Sequence, residues 1–147
     1  MKRQVYAAIA LTVLSGALAV GAAAQSRNRQ LLTADIPFAF NAGSKTLPAG
    51  KYTVTVVNPS SDRNVLQVRS SDGHFSVLLQ TTDMIGKSNP QAKLMFRRYG
   101  DQYFLSQAWM AAERTGLAVL KSSAERQLQN ELAKAGKKSE LVAVNAN

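Results

Sequence analysis

Cysteine is missing from all 147 residues. Its absence excludes a disulfide framework, a thiolate metal site and a cysteine nucleophile. It also excludes a lipoprotein whose lipid is carried on a cysteine at the cleavage site. Histidine is almost as scarce, with His74 the only one. A histidine metal site therefore has no second His or Cys to draw on, and a Ser-His-Asp arrangement has no G-x-S-x-G elbow to present its serine. Acids are few as well: nine Asp and Glu face eighteen Lys and Arg, for a formal charge of +9. Asp72 and Asp101 occupy turn positions and Glu125 a helix start, so Asp35, Asp83 and Glu113 stand out as carboxylates without an obvious structural role. No phosphate loop, G-x-G-x-x-G or EF-hand pattern occurs. These absences leave no catalytic, cofactor-binding or metal-ligating residue to name. A hydrolase built on Asp83 or Glu113 is the enzymatic alternative.

What is present begins with one long apolar run. Lys2 and Arg3 precede residues 5–20, which are apolar apart from Thr12, Ser15 and Gly16, and Ala22-Ala23-Ala24 follows. A short basic segment, an apolar core and small residues in A-x-A spacing form the pattern of a secretory signal peptide. Residues 1–24 read as that peptide, Gln25 as the start of the mature chain, and the compartment as periplasmic or extracellular. Residues 5–24 are long enough to span a bilayer if left uncut, but they are rich in Ala and Gly, and no integral span is expected after cleavage. The remainder suffices for one domain, residues 25–136, able to bury roughly two-thirds of its unfolded surface. Residues 137–147 read as a tail. Cleavage removes Lys2 and Arg3 and no acid, so the mature protein stays basic. Such an excess favours an anionic partner, an envelope polymer or lipid; nucleic acid is not expected in this compartment.

From residue 35 to residue 110 the chain reads as short strands between turn signals. Ile36, Phe38 and Phe40 alternate with Pro37 and Ala39, and Pro37 suits a strand start or edge. Residues 41–50 read as a loop ending in the turn Leu47-Pro48-Ala49-Gly50. Tyr52, Val54 and Val56 alternate with Lys51, Thr53 and Thr55, and Asn58-Pro59-Ser60-Ser61-Asp62 marks another turn. Residues 65–71 and 74–81 flank Asp72-Gly73, the strongest short hairpin signal. That turn sets Leu66 opposite Leu79, Val68 opposite Val77 and Ser70 opposite Phe75, with Arg69 and Ser76, and Gln67 and Leu78, on the other face. A third hairpin turns at Gly100-Asp101. It places Phe96 opposite Leu105, Arg98 opposite Tyr103 and Leu94 opposite Gln107, with Trp109 on that same face.

Ser122-Ser123-Ala124-Glu125 is a capping box. It opens a helix running to about Ala135, with Gly136 as its C-terminal stop. Ala124, Leu128, Leu132 and Ala135 form a narrow apolar stripe that suits docking on the sheet. The densest basic and aromatic cluster lies in the third hairpin, and Lys93, Arg97, Arg98 and Tyr99 are the candidate surface for an anionic partner. The Phe38-Ala39-Phe40 strand, the Leu47-to-Tyr52 turn and strand, the hairpin from Phe96 to Leu105 and the helix start at Ser122 together resemble a group of small exported proteins of Gram-negative soil bacteria that have no established activity. The resemblance implies no site residues. The expected fold is mainly β, an antiparallel meander of about six strands closed as a small sandwich or barrel, with one C-terminal helix. The expected function is a non-enzymatic structural or interaction module of the envelope or cell surface. A carrier of a small apolar ligand inside a barrel is the alternative beside the hydrolase.

Overall fold

The computed structural model describes residues 29–57 and 64–147. The segment expected to be a signal peptide and the turn expected at Asn58 to Asp62 lie outside the described residues. Ten strands and one helix occupy the rest. Eight of the strands close into an antiparallel barrel, and no helix among the described residues is long and apolar enough to cross a membrane.

The wall is built by alternation. Strand β1 (Arg29–Ile36) buries Leu32, Ala34 and Ile36 while Asp35 is exposed. Strand β4 (Gly50–Val56) buries Tyr52, Val54 and Val56. Strands β5 (Val65–Ser70) and β6 (Ser76–Ile85) follow as a hairpin in which Leu66 faces Leu79, Val68 faces Val77, Arg69 faces Ser76 and Gln67 faces Leu78. The Asp72-Gly73 signal thus fixes the register. The Ser70 N–H donates to the Phe75 carbonyl at 2.9 Å, and Gly73 supplies the turn's φ of 78°. Such a left-handed position favours glycine because a Cβ is crowded there.

From β6 the chain crosses to β7 (Ala92–Tyr99), leaving room for two later strands. Strand β8 (Gln102–Trp109) pairs back on β7, and β9 (Thr115–Val119) fills the gap, pairing with both β8 and β6. Helix α1 (Ser123–Lys134) then leads to β10 (Glu140–Ala146), which runs between β7 and β1 and closes the ring. The β1–β10 seam is narrow. It pairs Ala34 with Ala146 and is held by reciprocal bonds between Thr33 and Asn147 at 2.7 and 2.9 Å.

The mainly β, antiparallel fold with a helix near the C-terminus is as expected, and of sandwich and barrel it is the barrel. The path differs from a plain meander: the ring order is β1-β4-β5-β6-β9-β8-β7-β10, with eight strands rather than about six. The expected tail holds β10, because Val142, Val144 and Ala146 alternate inward against β7. The expected strand through residues 36–40 is broken. Ile36 ends β1, and β2 (Phe40–Ala42) starts a separate hairpin with β3 (Lys45–Leu47) inside what reads as a loop. In β8 a bulge opposite Met95 and Phe96 keeps Phe96 opposite Leu105 but sets Leu94 against Ala108 and Lys93 against Trp109. Below the bulge every side chain changes face. Trp109 therefore lies on the outer wall with Lys93, not on the face of Phe96.

The β2–β3 hairpin plugs the end of the ring where β1 ends and β4 begins. Phe40, Ala42 and Leu47 are buried. The Phe40 ring meets Tyr52 and Phe96 edge-on at 5.2 and 5.3 Å, and Phe38 stacks on Tyr103 at 4.0 Å. Such offset and edge contacts add to the gain from burial.

Candidate functional site

The four residues expected to form one basic surface do not converge. Arg97 and Tyr99 project from the outer face of β7 under helix α1. Arg97 Nη1 donates to Glu125 Oε1 at 3.0 Å, and the Tyr99 hydroxyl donates to the same oxygen at 3.1 Å. Glu125 is buried at 4 % exposure, so its charge is held by these two partners rather than by water. Burial, and then the Glu125 carboxylate, push the Tyr99 phenol above its ordinary value, while Arg97 pulls it down. The helix start behaves as the capping box requires at Ser122, whose Oγ accepts from the Glu125 N–H at 3.1 Å. The Glu125 side chain turns to the barrel instead of back to the cap. The docking stripe is accordingly Glu125, Leu128 and Leu132, while Ala124 and Ala135 are exposed.

Lys93 lies five residues along β7 from Arg98, about 16 Å at the usual rise, and donates to Asn89 Oδ1 at 3.2 Å. Arg98 is on the barrel rim. Its Nε donates to the Gly100 carbonyl at 2.8 Å and its guanidinium stands 5.6 Å from the centre of the Tyr103 ring. Arg98 is the more exposed of the two arginines, with its side chain 42 % exposed against 22 % for Arg97, and its Nη1 stands 4.0 Å from Glu140.

Two concave regions flank this arrangement. The first is at the unplugged end of the ring, where β4 ends and β9 begins. A half-open cleft of about 240 Å³ has Leu31, Val56, Ala108, Met110 and Leu117 as its apolar lining and carries Asn64, Asp83 and Glu113 as well. A shift in the β1–β4 pairing between Gln30 and Leu32 sets Leu31 in this region. Two of the three carboxylates singled out from the sequence are thus neighbours here. Asp83 Oδ1 accepts from the Asn64 amide at 2.8 Å, and Asn64 in turn holds buried Thr81 through its backbone carbonyl. Asp35 lies apart, exposed on β1.

The second region surrounds the C-terminal end of α1. Two adjoining grooves of about 370 and 340 Å³ share Leu132, Lys137 and Lys138. The first also takes in Arg98, Gly100 and Glu140, and the second Tyr99, Gln129 and Ser139. The lysines were missed because residues 137–147 read as a tail. The signal was the pair Lys137-Lys138 directly after the helix-stopping Gly136.

His74 is exposed beside its turn. Asp72 is its neighbour, with Oδ1 accepting from the Ser70 hydroxyl and, at 3.0 Å, from the His74 N–H. The first of these bonds and then the second hold the Asp72 carboxyl below the usual carboxylate range. Ser, Asp and His are therefore near neighbours at this turn, but His74 joins through its backbone N–H and the bonds serve the hairpin. The Ser70 Oγ also accepts from the Phe75 N–H at 2.9 Å. Among the described residues no group of three His, Cys, Asp or Glu stands close enough to hold a metal ion. Compared with known proteins, the chain matches no protein family, no curated protein and no solved structure.

Proposed function

We propose that the protein is an exported, non-enzymatic module of the periplasm or cell surface that works through the outside of its barrel. The observation that carries this reading is the filled interior. Tyr52, Phe40, Phe96, Leu32, Ile36, Leu47, Leu66, Leu94, Val54 and Val68 are all below 2 % exposure. An eight-stranded ring has room either for its own side chains or for one small ligand, and here the side chains occupy it. The basic charge and the apolar run behind Lys2 and Arg3 point the same way. The test is fractionation of the producing cell at low and high salt. Envelope association released by high salt is the expected result, and recovery wholly in the soluble fraction at low salt overturns the reading.

A second reading has one observation behind it, the half-open cleft at the unplugged end. Its volume is below the roughly 300–1,000 Å³ usual for drug-sized ligands, so it suits a short apolar group rather than an enclosed one. Native mass spectrometry of the protein taken from its own compartment without refolding separates the two readings. A bare chain supports the surface module, and a bound mass supports the carrier. Asp83 and Glu113 in the same cleft are what remains of the hydrolase alternative. Alanine at both positions leaving any hydrolysis intact ends it.

A further inference from the structure

We propose that the two grooves around the C-terminal end of α1 form one continuous trough that binds a linear acidic polysaccharide. The inference rests on the surface-module reading above and names its surface and partner. Charge is the first argument. Arg98, Lys137 and Lys138 line the grooves, and Glu140 is the single acid of their linings, 4.0 Å from Arg98 Nη1; in the last turn of the adjoining helix Lys134 is balanced in charge by Glu131. Among the described residues Lys134, Lys137 and Lys138 make no ion pair or side-chain hydrogen bond.

The usual structural task of cations at this position is also partly taken. Lysines often satisfy the last carbonyls of a helix. Here backbone groups do so: the Lys137 N–H donates to the Leu132 carbonyl at 2.9 Å, the Gly136 N–H to Ala133 at 3.1 Å and the Ala135 N–H to Glu131 at 3.1 Å. The ammonium groups are left to face solvent. Arg98 is the opposite case. It is already held by the Gly100 carbonyl and the Tyr103 ring, so binding an anion costs it little further freedom.

Shape and lining select the partner. The grooves lie in succession with Lys137 and Lys138 in the wall they share, an arrangement that meets charges repeating along a chain. Ser139 offers a hydroxyl, and the amide N–H of Gln129 is available because Lys121 takes its oxygen. Both suit sugar hydroxyls. A bilayer would ask instead for a broad apolar face, and Leu141 is the one large exposed apolar side chain beside the trough.

The experiment measures binding of the native protein to polygalacturonate by titration calorimetry across a salt series, with uncharged dextran as the blank. Vesicles of phosphatidylglycerol serve as the second arm. K137E/K138E is compared with K45E/K51E, which has the same net charge and alters exposed lysines elsewhere. The trough predicts a loss of about tenfold or more for K137E/K138E, with a shallower salt dependence, because each reversed charge acts at contact distance. It predicts little change for K45E/K51E. Equal losses in both variants mean diffuse attraction and overturn the site. Binding to the vesicles but not to the polysaccharide overturns the occupant, and no binding to either overturns both. Repeating the salt fractionation with K137E/K138E separates the two proposals. If the variant stays with the envelope, the trough fails and the module reading stands. If even the unaltered protein is wholly soluble, the module reading itself fails.

Discussion

Trp109 is the chain's only tryptophan, and it depends on two glycines. A Cβ built on Gly116 lies 2.6 Å from two atoms of the indole, and one on Gly86 lies 2.4 Å from its far edge. Gly116 is paired directly with Trp109 across the β8–β9 ladder, so the ring has no strand-sparing way to retreat. Gly116→Ala should therefore cost about 1–3 kcal/mol through overpacking. It should also red-shift the tryptophan emission as the indole is pushed from its 6 % exposure; urea unfolding followed by fluorescence reads both. Asp72 gives a second local prediction. Its carboxyl is depressed in the fold by the Ser70 and His74 bonds. The sign follows from linkage: the stabilisation is complete above the ordinary carboxylate range and is lost as pH falls through the depressed folded value. Ser70→Ala should raise the pH at which Asp72 titrates and flatten the acid side of the stability profile. Carboxyl NMR shifts and urea midpoints across the acid range check it.

Helix α1 is fastened less by apolar area than by one carboxylate. Leu128 and Leu132 are only partly buried, whereas Glu125 is buried and joins the helix to both Arg97 and Tyr99. Glu125→Ala leaves a buried phenol and a half-covered guanidinium without their acceptor. A loss of about 1–3 kcal/mol is expected, with faster amide exchange confined to α1 and the outer face of β7. Glu125→Gln, which keeps an acceptor oxygen but not the charge, should recover part of it. The Ser122 cap was legible in the sequence because a cap is a local device, whereas the return bond expected of Glu125 is not made. The β5–β6 register was equally legible, since it follows from Asp72-Gly73 and the alternation around it. The second task of Glu125 was not legible, since Arg97 and Tyr99 lie 28 and 26 residues away. The bulge in β8 was hidden for a related reason. Ser106 carries no turn signal, so nothing local says that Trp109 changes face. That the four residues of the expected basic surface do not converge was hidden in the same way, because the density of Arg97, Arg98 and Tyr99 along the chain says nothing about the helix that covers two of them.

Closure of the barrel depends on strands that the chain delivers late. Strand β9 joins β8 to β6, and β10 joins β7 to β1. Strand β9 follows β8 through residues 110–114, which carry no Gly, Pro, Asn or Asp, and β10 follows a helix, which is why both escape a reading built on turn signals. Ending the chain at Gly136 removes β10 and opens the ring along two unpaired edges. The truncated protein should lose its cooperative thermal transition and elute as larger species, because exposed strand edges pair with other chains. Circular dichroism and size-exclusion chromatography decide this. An unchanged melting curve would restore residues 137–147 to the status of a tail. The position of β10 also sets a timetable. Until Glu140–Ala146 has been synthesised, β1 and β7 have no partner between them, and long-range pairing of this kind is slow in any case. A growing chain therefore cannot close its ring before β10 has been made. For a protein that crosses a membrane behind its leader, as proposed here, the strand that completes the fold is also the one that postpones it until passage is under way.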